Sequence, residues 1–278
     1  LVKRVKSLER NLQNYKNLAT YKLMKPRSLV LRAPGTNCDI ETLRALKHCG
    51  FETFSAHINE LINKSVKLDD YNLLIIPGGF SFGDYISAGK IFSVEIIYNL
   101  KNDLEKFVSN KNKFVIGICN GFQVLVKTGL LPEPIFVQQS TLTENDSGKF
   151  ECRWVYLKVN KTNPSPLKNL PSIIQLPVAH AEGKFVAKDE VITKIFSNNQ
   201  VLFQYCDSEG DVSCGYPWNP NGSIKNIAGI TNKDGNIIGL MPHPERFVFV
   251  HHYPSWRNSS EAIVPFGKLF FETIRKVL

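Results

Sequence analysis

No stretch of this sequence stays apolar for anything near the ~20 residues of a membrane-spanning helix. The apolar runs "YNLLIIPGGF" and "KFVIGIC" are only strand-sized. None of the six cysteines, at 38, 49, 119, 152, 206 and 214, forms a C-x-x-C pair. That spacing argues against a zinc ribbon or a disulfide framework and reads as reduced thiols, hence a cytoplasmic setting with no metal site. Neither G-x-G-x-x-G nor the Walker A pattern occurs, so no nucleotide site is expected in this chain. Internal repeats and low-complexity tracts are missing too.

Basic charge is also scarcer than it looks. The chain of 278 residues carries a formal +9, which first suggests nucleic acid. Residues 1–27 hold eight Lys/Arg against Glu9 and so account for +7, leaving +2 for residues 28–278. The nearly neutral body gives no argument for a nucleic-acid partner. Its 43% hydrophobic content fits a globular domain with a substantial core.

Two units follow: a basic N-terminal extension, 1–27, and one folded domain, 28–278. In the extension Val5, Leu8, Leu12 and Tyr15 recur at helical spacing, but two heptads are too few for a coiled coil. The segment also resembles an organellar transit peptide, and Met24 just before the first strand offers an alternative start. The extension reads as dispensable.

From Ser28 strands and helices alternate. "SLVLRA", "FETFSAHI", "YNLLIIP" and "KFVIGIC" read as strands. The helices expected between and after them are "NCDIETLRALKHCG", capped by Asn37 or Asp39 and stopped at Gly50, residues 85–110, and "GFQVLVKTG". This is the pattern of a three-layer α/β fold on an open, mostly parallel sheet of flavodoxin or Rossmann type. The second half adds "KFECRWVYLKV", "GKFVA", "VLFQYC", "NIAGIT" and "NIIGLM", antiparallel strands separated by turns, and a closing helix across 265–278.

The chemistry centres on "FVIGICNGFQ", where Cys119 ends a strand between Gly117 and Gly121. Glycines so placed allow a sharp strand-to-helix turn of the nucleophile-elbow kind, with cysteine in place of serine. A helix N-terminus favours the thiolate form of a cysteine. A core cysteine that happens to end a strand would show the same bare pattern. "MPHPER" shifts the balance: prolines at 242 and 244 exclude a regular helix, and in an extended segment His243 and Glu245 face one way. A carboxylate beside an imidazole can hold its tautomer while the imidazole takes a thiol proton. Cys119, His243 and Glu245 therefore read as a catalytic triad. Gly79, in "PGGFSFGD", and the amide of Asn120 are the candidate oxyanion donors. His180 and Glu182, in "HAEGKF", are candidates to line the pocket. "APGTNCD" reads as a turn, and the adjacent His251 and His252 are unsuited to joint chelation.

These residues resemble class I glutamine amidotransferases, and most closely the family of glutaminase subunits of phosphoribosylformylglycinamidine synthase. "RAPGTNCD", "IPGGFSFGDY", "GICNGFQVLVKTGLLP", "NDSGKFECRW", "PVAHAEGKF", "NPNGSIKNIAGI" and "GLMPHPER" look like that family's blocks in its order, from about Leu29 to the C-terminus. Phe82 stands where tyrosine is common and Ala181 where glycine is common. The resemblance implies Cys119 as nucleophile, His243 and Glu245 as its partners, and Gln123 as a residue holding glutamine. It implies hydrolysis of glutamine through a glutamyl thioester. Ammonia would pass to a separate synthetase subunit, with a small bridging subunit alongside. ATP and Mg2+ would belong to that synthetase, in de novo purine biosynthesis. Two other readings of the residues are a cysteine α/β hydrolase and a binding module with a redox-sensing thiol.

Overall fold

A computed structural model describes residues 25–259 and 262–278. The readings made on residues 1–24 lie outside the described residues. In chain order the elements are β1 (Arg27–Arg32), α1 (Asp39–His48), β2 (Glu52–His57), α2 (Ile58–Ile62), β3 (Leu73–Ile76), α3 (Lys90–Ser109), β4 (Phe114–Ile118), α4 (Asn120–Lys127), β5 (Ser140–Thr143), β6 (Glu151–Val159), β7 (Ile173–His180), β8 (Lys184–Ala187), α5 (Asp189–Ser197), β9 (Val201–Cys206), β10 (Ile227–Thr231), β11 (Ile237–Leu240) and α6 (Phe266–Arg275).

Nine strands form one sheet in the order β2-β1-β3-β4-β11-β10-β9-β6-β7, and β5 pairs with β8 in a separate ribbon. The first five are mutually parallel and the remaining pairings are antiparallel. Sequence explains the division. Every residue of β3, β4 and β11 is buried, as expected of parallel strands covered on both faces, whereas β7 alternates buried and half-buried side chains. On α3 the buried Phe92, Ile96, Leu100, Leu104 and Phe107 recur every three or four residues, so one stripe of the helix covers the sheet. α3 packs beside α4, and α1 beside α6. No helix among the described residues is long and apolar enough to cross a membrane.

The register places the site. β4 lies between β3 and β11, with Gly117 opposite both Ile76 and Gly239, and Ile118 opposite Leu240. Because these strands run parallel, the segments that follow β1, β3, β4 and β11 leave the sheet at one edge, where ligands of open α/β sheets bind. The bracketing glycines let α4 turn back tightly. A Cβ on Gly121 would lie 1.9 Å from the Ile76 carbonyl oxygen, and one on Gly117 would lie 2.5 Å from the Gly121 oxygen.

Several local expectations need correction. The helix expected over 85–110 starts at Lys90, because Asp84 and Ile86 hold positive φ and Gly89 enters the helix left-handed. The residue capping α1 is Cys38, without a side-chain cap bond, rather than Asn37 or Asp39. α2, β5, β7 and α5 were not expected.

Gly121→Ala is predicted to destabilise the chain by about 3 kcal/mol, because its methyl meets backbone that cannot yield. Urea unfolding of this variant beside Val124→Ala, which removes atoms instead of adding them, checks the direction. A stability equal to wild type would contradict the tight packing of α4.

Candidate active site

Cys119 is the residue between β4 and α4, and its backbone sits at φ 52°, ψ −106°. A side chain pays to occupy that region, so such strain is a marker of a held functional group. The Cys119 N–H donates to the Leu240 oxygen at 2.8 Å, tying the elbow to β11, and its thiol points at the Ala179 oxygen, 3.6 Å away. Three residues beyond β11, the His243 amide donates to the Pro177 oxygen at 2.8 Å. Parallel pairing of β4 with β11 therefore brings Cys119 and His243 to the same cleft, and both line it.

His243 is 1% exposed and Glu245 2%. His243 Nδ1 lies 2.6 Å from Glu245 Oε1, a charge-assisted contact between two buried groups. Burial alone would pull the imidazole's pKa down. The Glu245 carboxylate and then the Cys119 sulfur overcome this and raise it well above the usual histidine value. His243 Nε2 is buried and forms no hydrogen bond of good geometry, although the thiols of Cys119 and Cys38 both act on the ring. Gly78 makes room for this ring: a Cβ there would come within 2.9 Å of His243 Cε1 and 3.0 Å of Cys38 Sγ.

The two expected oxyanion donors are free. Neither the Gly79 nor the Asn120 amide N–H has an acceptor among the described residues. Gly79 holds φ +147°, and the backbone of residues 35–37 crowds its Cα, so a side chain is excluded there. Gln123 also lines the cleft, but its amide is engaged. Its Oε1 accepts from Asn120 Nδ2 at 2.9 Å, and its Nε2 donates to the Glu182 carbonyl. Glu182 is half-buried in the cleft wall, where its carboxylate accepts the Ala88 N–H at 3.1 Å. His180 is buried in the same wall, and burial keeps it neutral with its pKa down at about 3.

A further group lies on the far side of His243. "APGTNCD", read as a plain turn, delivers Cys38 into the cleft. Arg246 Nη2 donates to Cys38 Sγ at 3.1 Å, and its Nε donates to Glu41 Oε1 at 2.9 Å. Burial, the largest influence, pushes the Cys38 thiol up, while a hydrogen bond with His243 opposes it. Cys38, Glu41, His243 and Glu245 offer one donor each within 4.8 Å of one another, an arrangement that could hold a metal. The Arg246 guanidinium already serves as the cation of this cluster. A metal ion would have to displace it and compete with the His243–Glu245 contact. The signal for Cys38 was its position after β1, a strand sharing the active edge. Asp84 was also overlooked; it accepts from Asn120 Nδ2 at 3.2 Å, and burial raises its carboxyl pKa. His251 and His252 lie outside this cleft, beside Phe249.

The buried pair gives a signed pH prediction. A histidine whose pKa is raised on folding contributes stability fully present below its unfolded value, about 6.5, and lost as pH rises through the raised value. The stability gap between wild type and Glu245→Gln, measured by urea unfolding, should therefore be widest near about pH 6 and narrow as pH rises. A gap independent of pH would contradict the pairing.

Comparison with known proteins agrees with this architecture. Residues 25–276 match the CobB/CobQ-like glutamine amidotransferase domain. The phosphoribosylformylglycinamidine synthase subunit PurQ of Picrophilus torridus is 46% identical over 250 residues, covering 89% of this chain and 97% of that protein. Its counterpart in Dehalococcoides mccartyi is 46% identical over 235 residues, covering 84% and 90%. A chain in the structure of PurLQS from Thermotoga maritima superposes with a TM-score of 0.67 at 36% identity, covering 90% of this chain and 98% of that one. This chain belongs to the CobB/CobQ-like glutamine amidotransferases and, within them, to the PurQ subunits of phosphoribosylformylglycinamidine synthase.

Proposed function

We propose that Cys119, His243 and Glu245 form the triad through which this glutaminase subunit hydrolyses glutamine. The observation that carries the reading is the buried 2.6 Å contact between His243 and Glu245 in the cleft that holds Cys119 on its strained elbow. In the proposed sequence His243 takes the Cys119 thiol proton, and Glu245 stabilises the imidazolium so formed. Sulfur adds to the side-chain amide carbon of glutamine, and the free amides of Gly79 and Asn120 receive the developing oxyanion. His243 returns the proton to the departing nitrogen. Ammonia leaves, and the glutamyl thioester remains on Cys119. A water molecule, deprotonated by His243, then cleaves the thioester to glutamate and restores the thiol. Gln123, His180 and Glu182 hold the substrate, with the Glu182 carboxylate suited to the α-ammonium group.

Ammonia passes to an ATP-dependent synthetase subunit that converts formylglycinamide ribonucleotide to formylglycinamidine ribonucleotide. A small bridging subunit completes the assembly, a reading supported by the likeness of this chain to one in the structure of PurLQS from Thermotoga maritima. ATP and Mg2+ belong to the synthetase in this reading. The reaction is cytoplasmic, in keeping with six free cysteines.

Glutamate release from glutamine, measured with and without the synthetase, tests the assignment. Cys119→Ala is expected to abolish release, and Glu245→Gln to lower it by about 10²–10⁴-fold. Turnover by Cys119→Ala at the wild-type rate would overturn the triad, and cleavage of simple esters without glutaminase activity would favour a hydrolase.

A further inference from the structure

Two sequence blocks have no part in the triad, "NDSGKFECRW" and "NPNGSIKNIAGI", and both converge on His180. Asn145, from the first, donates through Nδ2 to the His180 carbonyl at 2.8 Å and accepts the Gly183 N–H at 3.0 Å. It thus staples the backbone on both sides of the turn after β7. Asn221, from the second, reaches the ring itself. Its Oδ1 accepts the Ser223 backbone N–H at 3.0 Å, which settles which end of the amide is oxygen. The other end, Nδ2, lies 3.0 Å from His180 Nε2 and 3.1 Å from the Tyr205 hydroxyl. An NH2 group can only donate, so Nε2 accepts and the ring's single proton sits on Nδ1. Gly183 covers the ring, since a Cβ there would lie 2.2 Å from Nε2.

His180 Nδ1 is buried and has no hydrogen-bond partner. A donor left in that condition costs about 1–3 kcal/mol, so a native fold that keeps one calls for a reason, a functional role among them. The side chain is 3% exposed and lines the cleft shared by Cys119 and His243.

We propose that the Asn145–Asn221 frame holds His180 as a neutral donor whose Nδ1–H binds an acceptor oxygen of the glutamine substrate, either the α-carboxylate or the amide oxygen. This rests on the glutaminase reading above. A fixed N–H cannot accept from the α-ammonium, which leaves that group to Glu182. Burial supports the protonation state, since it holds the ring's pKa down at about 3.

The test compares His180→Asn, whose amide falls at the Nδ1 position, with His180→Gln, whose amide reaches the Nε2 position. The readout is the rate of Cys119 alkylation in the full chain by a chloroketone analogue of glutamine, by chloroacetone and by iodoacetamide. His180→Gln should react with the glutamine chloroketone about tenfold more slowly than His180→Asn, with little difference for iodoacetamide. Slowing confined to the glutamine analogue identifies the α-carboxylate as acceptor; slowing of both ketones identifies the amide oxygen. The reverse order, with Gln the better replacement, means that only the Asn221 bond matters and overturns the proposal. Equal slowing by all three reagents overturns it as well. Failure of the unsubstituted protein to react with the glutamine analogue sinks the glutaminase reading and the proposal together. If either variant does not fold, NMR of the ring nitrogens in the unsubstituted protein decides. The His180 Nδ1–H signal should move downfield on alkylation by the glutamine analogue, and an unmoved signal overturns the proposal.

Discussion

Everything at this site depends on the parallel pairing of β4 with β11. Those strands are over a hundred residues apart in sequence, yet Ile118 lies opposite Leu240. One strand ends in the thiol and the other leads into the imidazole, so the register of four residue pairs sets where two reactive groups meet. A slip by one residue would send alternate side chains to the wrong face and separate them. The two glycines of the elbow then decide how closely α4 can follow, and hence where the free amide of Asn120 points.

The site gathers charges that a protein interior normally rejects. A buried carboxylate and imidazole are costly to desolvate, and they persist when paired and hydrogen-bonded. Glu245 pairs with His243 through Oε1, and Arg246, next along the chain, is held by Glu41 on α1 and by the Cys38 sulfur. The "MPHPER" segment is thereby bolted to β7 through the His243 amide and to α1 through Arg246, so the imidazole has little freedom. On the opposite wall the same economy is achieved with neutral groups: asparagines fix a histidine that burial keeps uncharged. A cationic His180 would repel the His243 imidazolium, so the difference between the two imidazoles matters as much as either one.

Much of this was legible in the sequence because the parallel core is locally consistent. Fully apolar β3, β4 and β11 state their own burial, and i, i+4 spacing identifies α3. β7 was missed because Pro177 sits inside it. Proline removes a ladder donor and argues against a strand, yet it is tolerated here because β7 is the edge strand of the sheet. α5 was missed because Val191, Ile192, Thr193 and Ile195 are β-branched and blur its helical period. Asn221, and Cys38 beyond its place after an active-edge strand, were illegible for another reason. Their importance comes from long-range contacts with His243 and His180, and no spacing within a segment encodes those. The hydrogen bonding of Gln123 was equally hidden, since both of its amide partners come from the folded arrangement.

The proposed triad requires a covalent glutamyl intermediate at Cys119. The most direct measurement is acid quenching of the protein during turnover of glutamine in the presence of the synthetase, followed by peptide mass spectrometry. A glutamyl adduct is expected on the peptide that contains Cys119, formed and consumed at the rate of glutamate release. Glutamate release with no adduct at Cys119, or with the adduct on Cys38, would contradict the proposed triad.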